Sequence, residues 1–482
     1  MRLRYLVLML VAILMGAQAS GPPGALAAEA DTSAQQATGT RAATVVAATD
    51  APPGGSVAPS ADAQALASLD RPLSLADCLH LAVQLRPRLE AARADLESAQ
   101  AATDRQRAAR WPLVEAVWDW RTNQTLARPL RLEGGILTSR AERTTTREAS
   151  VGVDFIFWDS SQHAAINQAR ASEEVAWYHL GDTQRQLLET VATLYYTALA
   201  NEKMAEVTAS AVVSARRHLD LVRGRIEAGT AAEADRLPVE VELAQAQLRA
   251  VQAEDALKQS LAELRATLGV FSDIPLRLTA QPERVTAEEE LAALWERAAT
   301  ERDDLEALRA TVRSREWAAR LAKMDAGLSV QLSGHAEYGR YSGTTGESWW
   351  VGAGASAPLF SKQARADVKS AEAGLAAAKA NLADAELMVR QAVEQAYLSL
   401  RDASERVAQA AKAVESAQVN LQAAEERYAE GVATIIEVTD AEQSLREAQA
   451  DDVQARYQQN VAAVQLRSAV GEDLLLTLGG SR

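Results

Sequence analysis

The sequence predicts a mainly α-helical chain with a small membrane-type β component, built by duplicating one half of about 200 residues. Three observations carry this. First, sliding the 482-residue sequence by 202 positions lays Gly152–Phe271 on Gly354–Asp473 without a gap. This brings Tyr195 onto Tyr397, Arg225 onto Arg427, Gly229 onto Gly431 and Gly269 onto Gly471. Second, the stretch from Ser361 to Glu430 has no proline, and Val368, Leu375, Leu382 and Val389 recur every seven residues. After one four-residue step, Val393, Leu400, Val407, Val414, Leu421 and Tyr428 continue the sevens. That is the seam of a coiled coil. Third, each half carries a pair of short segments alternating apolar and polar with period two, as strands with two unlike faces do.

Composition agrees with long helices. Hydrophobic residues make up 48% of the chain but aromatics only 5%, so most of the apolar fraction is small, above all alanine. Such residues favour close helix–helix contact over a thick core. A formal net charge of −15 excludes nucleic-acid binding by phosphate neutralisation. The single cysteine, Cys78, excludes an intramolecular disulfide framework and any Cys-cluster metal site.

In chain order, Arg2 and Arg4 precede an apolar run from Tyr5 to Met15 and then small residues, with cleavage signals at Ala17-Gln18-Ala19 and Leu26-Ala27-Ala28. This predicts a signal peptide over 1–28. Residues 29–70 are Ala, Thr, Ser, Gln, Pro and Gly with almost no large apolar side chain, and predict a low-complexity leader. The first repeat, 71–271, is expected to hold a β-hairpin at about 112–158, with strands Val114–Asn123 and Val151–Trp158 joined by a polar loop from Gln124 to Arg147. A helical rod from His163 to Glu227, a tip near Gly229 and a return helix Ala232–Thr267 follow. The second repeat, 286–471, opens with a helical stretch from Glu288 to Met324. Its β-hairpin at about 327–360 has strands Leu328–Tyr338 and Trp349–Phe360 around a turn near Gly343–Gly346. The rod to Glu430, a tip near Gly431 and a return helix Thr434–Val470 complete it, leaving 472–482 as a tail. Four strands of about 10 residues cannot close a membrane barrel, so several subunits must share one.

No catalytic set is present. His80, His163, His179, His218 and His335 are scattered without metal-ligand spacing on one helix and read as exposed helix or strand-face residues. There is no nucleophile elbow and no phosphate-binding glycine loop, so neither enzyme activity, cofactor nor resident metal is expected. Energy for any transport must come from a partner.

The ordered set of Leu75-Ala76-Asp77, Arg86-Pro87-Arg88-Leu89, Pro358-Leu359-Phe360, Arg427-Tyr428-Ala429-Glu430-Gly431, Glu437-Val438-Thr439-Asp440-Ala441 and Leu466 to Gly471 resembles the TolC-like outer-membrane efflux proteins. That resemblance implies a homotrimer, with a 12-stranded β-barrel in the outer membrane and an α-barrel of 12 helices in the periplasm. It also implies a periplasmic adaptor and an inner-membrane pump as partners. By the same resemblance Asp235, Glu437 and Asp440 line a periplasmic pore gate, and Gly229, Thr230, Gly431 and Val432 form the adaptor-contacting tips. Ala433 stands where the family's best-known member has a locking arginine. Arg86 replaces a frequent Asn and is expected to alter only a local turn.

Two of these roles have competing local explanations. Thr434-Ile435-Ile436-Glu437 also fits a capping box, with Glu437 reaching back to the Thr434 amide. Asp440 lies beyond the first turn, where capping does not explain it. The tip glycines also suit ordinary helix reversal. Trp118, Trp120, Trp349 and Trp350 read as aromatics at the membrane interface. The alternatives to an exit duct are a periplasmic adaptor and a structural coiled-coil protein without a channel.

Overall fold

The computed structural model describes residues 71–125, 131–133, 136–138, 142–230, 232–270, 276–279, 289–325, 327–341 and 344–478. They belong to one compact unit, Pro59–Arg482. The expected signal peptide and leader lie outside them. The first repeat comprises α1 (Leu75–Leu85), α2 (Pro87–Ala108), β1 (Leu113–Thr125), β2 (Arg131–Glu133), β3 (Ile136–Thr138), β4 (Glu142–Asp159), α3 (Gln162–Glu227) and α4 (Arg236–Leu268). The second comprises α5 (Leu291–Glu301), α6 (Asp303–Met324), β5 (Ser329–Tyr341), β6 (Thr344–Ser356), α7 (Lys362–Ala429) and α8 (Ile435–Val470), followed by α9 (Leu474–Leu478).

The rods follow from the heptads. At about 1.5 Å per residue, the 68-residue α7 is a rod of about 100 Å. Every residue of its predicted seam is buried or half-buried. Gly269 and Gly471 end α4 and α8 in left-handed backbone, at φ +80° and +95°. Each mid-rod core then packs against the short helices. Around Tyr195, buried Leu79, Leu188, Leu264 and Leu268 converge, and the Tyr195 hydroxyl donates to the carbonyls of Leu73 (3.2 Å) and Thr279 (2.6 Å). The counterpart cluster holds Leu294, Leu305, Val393, Leu400 and Val470.

Several boundaries differ from the sequence reading, each for a physical reason. The stretch from Glu288 to Met324 is two helices, because Arg302 adopts extended backbone between them (φ −80°, ψ 119°). The described residues of the expected polar loop Gln124–Arg147 lie in strands. β1 and β4 stay paired out to Thr125 and Glu142, with the Thr122 and Thr145 hydroxyls 3.4 Å apart, and β2 pairs with β3 inside the connection. A ladder needs only backbone partners, so it continues beyond the apolar section. The last strand ends at Ser356, short of Pro358, which has no amide hydrogen to donate to a ladder. The tail carries α9, whose Leu474 is buried in the first-repeat core. Arg86 does more than shape a turn, since its guanidinium donates to the Ala266 carbonyl at the end of α4 (2.9 Å).

The sheet order is β1-β4-β5-β6, antiparallel throughout, so β4 and β5 join the two repeats and β1 and β6 are its edges. Among the described residues no helix is long and apolar enough to cross a membrane.

Candidate pore entrance and lipid-facing sheet

Register assigns each strand residue to a face, because directly paired residues share one. One row runs Ala116, Val151, Ala336, Trp349, the next Trp118, Ala149, Tyr338, Glu347, and a third Val114, Val153, Gly334, Val351. The opposite face holds Glu115, Gly152, His335, Trp350 in one row and Val117, Ser150, Glu337, Ser348 in another. The first face is therefore apolar in its central rows, with Glu347 beside Tyr338 and with Arg147 and Arg340 in the Trp120 row towards the β5–β6 turn, and the other face is polar. Trp118, Trp120 and Trp349 stand on the apolar face, 72%, 63% and 74% exposed. Trp350 points the other way and stacks on His335, with centroids 6.3 Å apart. Adjacent strand residues cannot share a face, which separates Trp350 from the other three aromatics.

At the opposite end of the rods, both tips turn on a glycine in left-handed backbone, Gly229 (φ +73°) and Gly431 (φ +76°). The Thr230 amide donates to Arg225 O and the Val432 amide to Arg427 O, both at 2.9 Å, closing a Schellman-type reversal in each repeat. Val432 is 76% exposed.

Two of the three gate candidates also cap. The Asp235 carboxylate accepts from the Ala232 amide at 3.2 Å, and Glu437 accepts from the Thr434 amide at 3.4 Å. Asp440 is exposed one turn further along α8, on the face of Glu437. Where Ala433 offers no charge, another contact joins the two tips: the Arg225 guanidinium lies 4.2 Å over the Tyr428 ring and donates to the Tyr428 carbonyl at 3.3 Å. The sequence does contain a trace of it. The 202-residue displacement lays Ile226 on Tyr428, so the repeats diverge where an aromatic partner is needed.

The histidines hold a second correction. His80, His163 and His179 are exposed as expected. His218 is not: its side chain is 15% exposed and lies 3.3 Å from the Glu442 carboxylate. His335 is half-buried, within reach of Glu148 and Glu337. Both groupings form across elements far apart in sequence, and no spacing on one helix announces them.

The sequence profile of the outer membrane efflux protein family matches residues 78–270 and 294–472. No curated protein matches the chain. The fold is similar to solved outer-membrane channels. OprN superposes with a TM-score of 0.71 at 19% identity, over 83% of this chain and 91% of that one. Campylobacter jejuni CmeC gives 0.71 at 13%, over 82% and 85%. Neisseria gonorrhoeae MtrE in its open state gives 0.69 at 16%, over 83% and 89%. With both repeats covered by the profile, the chain belongs to the outer membrane efflux protein family.

Proposed function

We propose that this outer-membrane efflux protein is the passive exit duct of a tripartite efflux or type I secretion system. Three copies would each contribute four strands to one 12-stranded barrel in the outer membrane and their long helical hairpins to a periplasmic tunnel. A periplasmic adaptor would connect the tips to an inner-membrane pump that supplies the energy. The observation that carries the reading is the four-stranded sheet with one apolar face, one polar face and two open edges. A barrel needs the first against lipid, the second against water and the third against its neighbours. Family membership sets aside the adaptor and the channel-less coiled coil.

Conductance is the direct test. Purified protein in a planar bilayer is expected to give a cation-selective current, because rings of Asp440 and Glu437 at the tunnel mouth attract cations. Asp440→Asn should reduce cation selectivity while leaving Glu437 as a cap. A silent bilayer, or selectivity indifferent to Asp440→Asn, would overturn the pore assignment.

Adaptor contact at the tips is tested separately. A Cβ built on Gly431 meets nothing within 4 Å, so Gly431→Trp carries only the strain of left-handed backbone, about 1–2 kcal/mol, and projects an indole from the tip. Oligomers are expected to persist on native gels while export is lost. Unchanged export would count against docking at Gly431 and Val432.

A further inference from the structure

Between the tips and the mid-rod core, three helices bring four ionisable side chains together: His218 from α3, Glu242 from α4, and Glu442 and Arg446 from α8. Each lies on the order of 20 Å along its rod from a tip glycine. Glu242 and Glu442 are deeply buried, their side chains 10% and 6% exposed. Arg446 lies 2.9 Å from Glu242 and 3.4 Å from Glu442. Even so, His218 Nδ1 and both Glu242 oxygens lack a well-directed hydrogen bond, the Arg446 contact with Glu242 being an ion pair. Two carboxylates against one guanidinium leave the cluster one positive charge short when the imidazole is neutral.

We propose that His218, Glu242 and Glu442 form a divalent-cation site of the zinc type, which staples the first helical hairpin to α8 below the tips. One atom from each side chain lies within 4.8 Å of the other two. The 3.3 Å separation of His218 Nδ1 from Glu442 Oε2 matches the edge between two ligands each about 2.0–2.1 Å from a tetrahedral ion. One imidazole with carboxylates suits zinc better than magnesium or calcium, which take all-oxygen shells. Arg446 then serves as the outer partner that orients both carboxylates.

A proton is the competing explanation, and it falls short on geometry. Protonated at Nδ1, His218 satisfies Glu442 and leaves Glu242 with the Arg446 ion pair alone, whereas an ion among the three ligands engages His218, Glu442 and one Glu242 oxygen together.

The test uses full-length protein without a histidine tag, stripped with chelator and titrated with zinc chloride and, separately, cobalt(II) chloride. The expected results are one zinc per chain, a cobalt spectrum of four-coordinate nitrogen–oxygen type, and a thermal midpoint that rises with zinc and falls back with chelator. Glu242→Gln and His218→Ala should each weaken zinc binding at least tenfold, and millimolar magnesium should not compete. A control, His335→Gln, should leave affinity unchanged. Absence of zinc binding by the unaltered protein would overturn the site, as would undiminished binding by either cluster variant. So would stabilisation by acidification from pH 8 to 6 that is indifferent to zinc, since a proton alone would then complete the cluster.

Discussion

Replacing Arg302 by alanine is expected to destabilise the protein by about 2–3 kcal/mol, the range for losing hydrogen bonds to a charged group that is partly shielded from water. Arg302 is 9% exposed and closes the hinge between α5 and α6. Its guanidinium grips Asp304 through two hydrogen bonds, at 2.9 and 2.6 Å, and donates to the Ala469 carbonyl at the end of α8 (2.7 Å). Alanine removes all three and leaves the Asp304 carboxylate without that partner. Its repeat counterpart provides the control. Arg86 is half-buried, makes the corresponding helix-end contact with Ala266 and grips no carboxylate among the described residues, so Arg86→Ala should cost about 1 kcal/mol. Urea titration in detergent distinguishes them, and equal midpoints for the two variants would refute the argument.

The same pair sets a pH dependence. Burial alone would raise the Asp304 carboxyl, but the Arg302 hydrogen bonds and the nearby Arg185 outweigh it and hold it below its ordinary value. A depressed folded pKa contributes stability above the ordinary carboxylate range and loses it as pH falls through the folded value. Without Arg302, burial dominates, so acid unfolding of the variant should begin at a higher pH than in the parent.

Gly471→Ala should be the more damaging of two matched glycine substitutions. A Cβ on Gly471 sits 2.9 Å from the carbonyl carbon of Glu301 and 3.0 Å from the Arg302 amide nitrogen, in backbone at φ +95°. Those atoms belong to the α5–α6 hinge and cannot move aside as a flexible side chain would. Left-handed strain of about 1–2 kcal/mol is therefore joined by overpacking of about 1–3 kcal/mol. Gly431→Ala carries the strain alone, because no atom lies within 4 Å of its added Cβ. Folded yield and thermal midpoint should fall far more for Gly471→Ala than for Gly431→Ala. A similar loss in both would mean that the hinge yields.

What the sequence reveals depends on how local each feature is. The rod α7 was legible because a period of seven needs only its own side chains. The tip reversals were legible because an uninterrupted helix meeting a glycine has few ways to turn. The separation of Trp349 from Trp350 was also available, since neighbours on a strand always oppose. Pairing of β4 with β5 across about 170 residues was not, because alternation gives a strand two faces without naming its neighbours. Arg86 reaching Ala266, Arg225 stacking on Tyr428, and His218 meeting Glu242 and Glu442 are likewise products of helix–helix registration. For the candidate site, acidic residues near the tips were visible in sequence, but the capping geometry of Asp235 appears only once the short helical turn before α4 is placed.

The open edges of the sheet also have a kinetic consequence. An isolated copy presents β1 and β6 with a row of unpaired amides and carbonyls each, beside an apolar face studded with tryptophan. Such a surface pairs with whatever strand arrives first, so the single chain is a short-lived species whose lifetime falls as its concentration rises. Folding and assembly then compete with aggregation in one race, and apparent stability depends on how many copies are present.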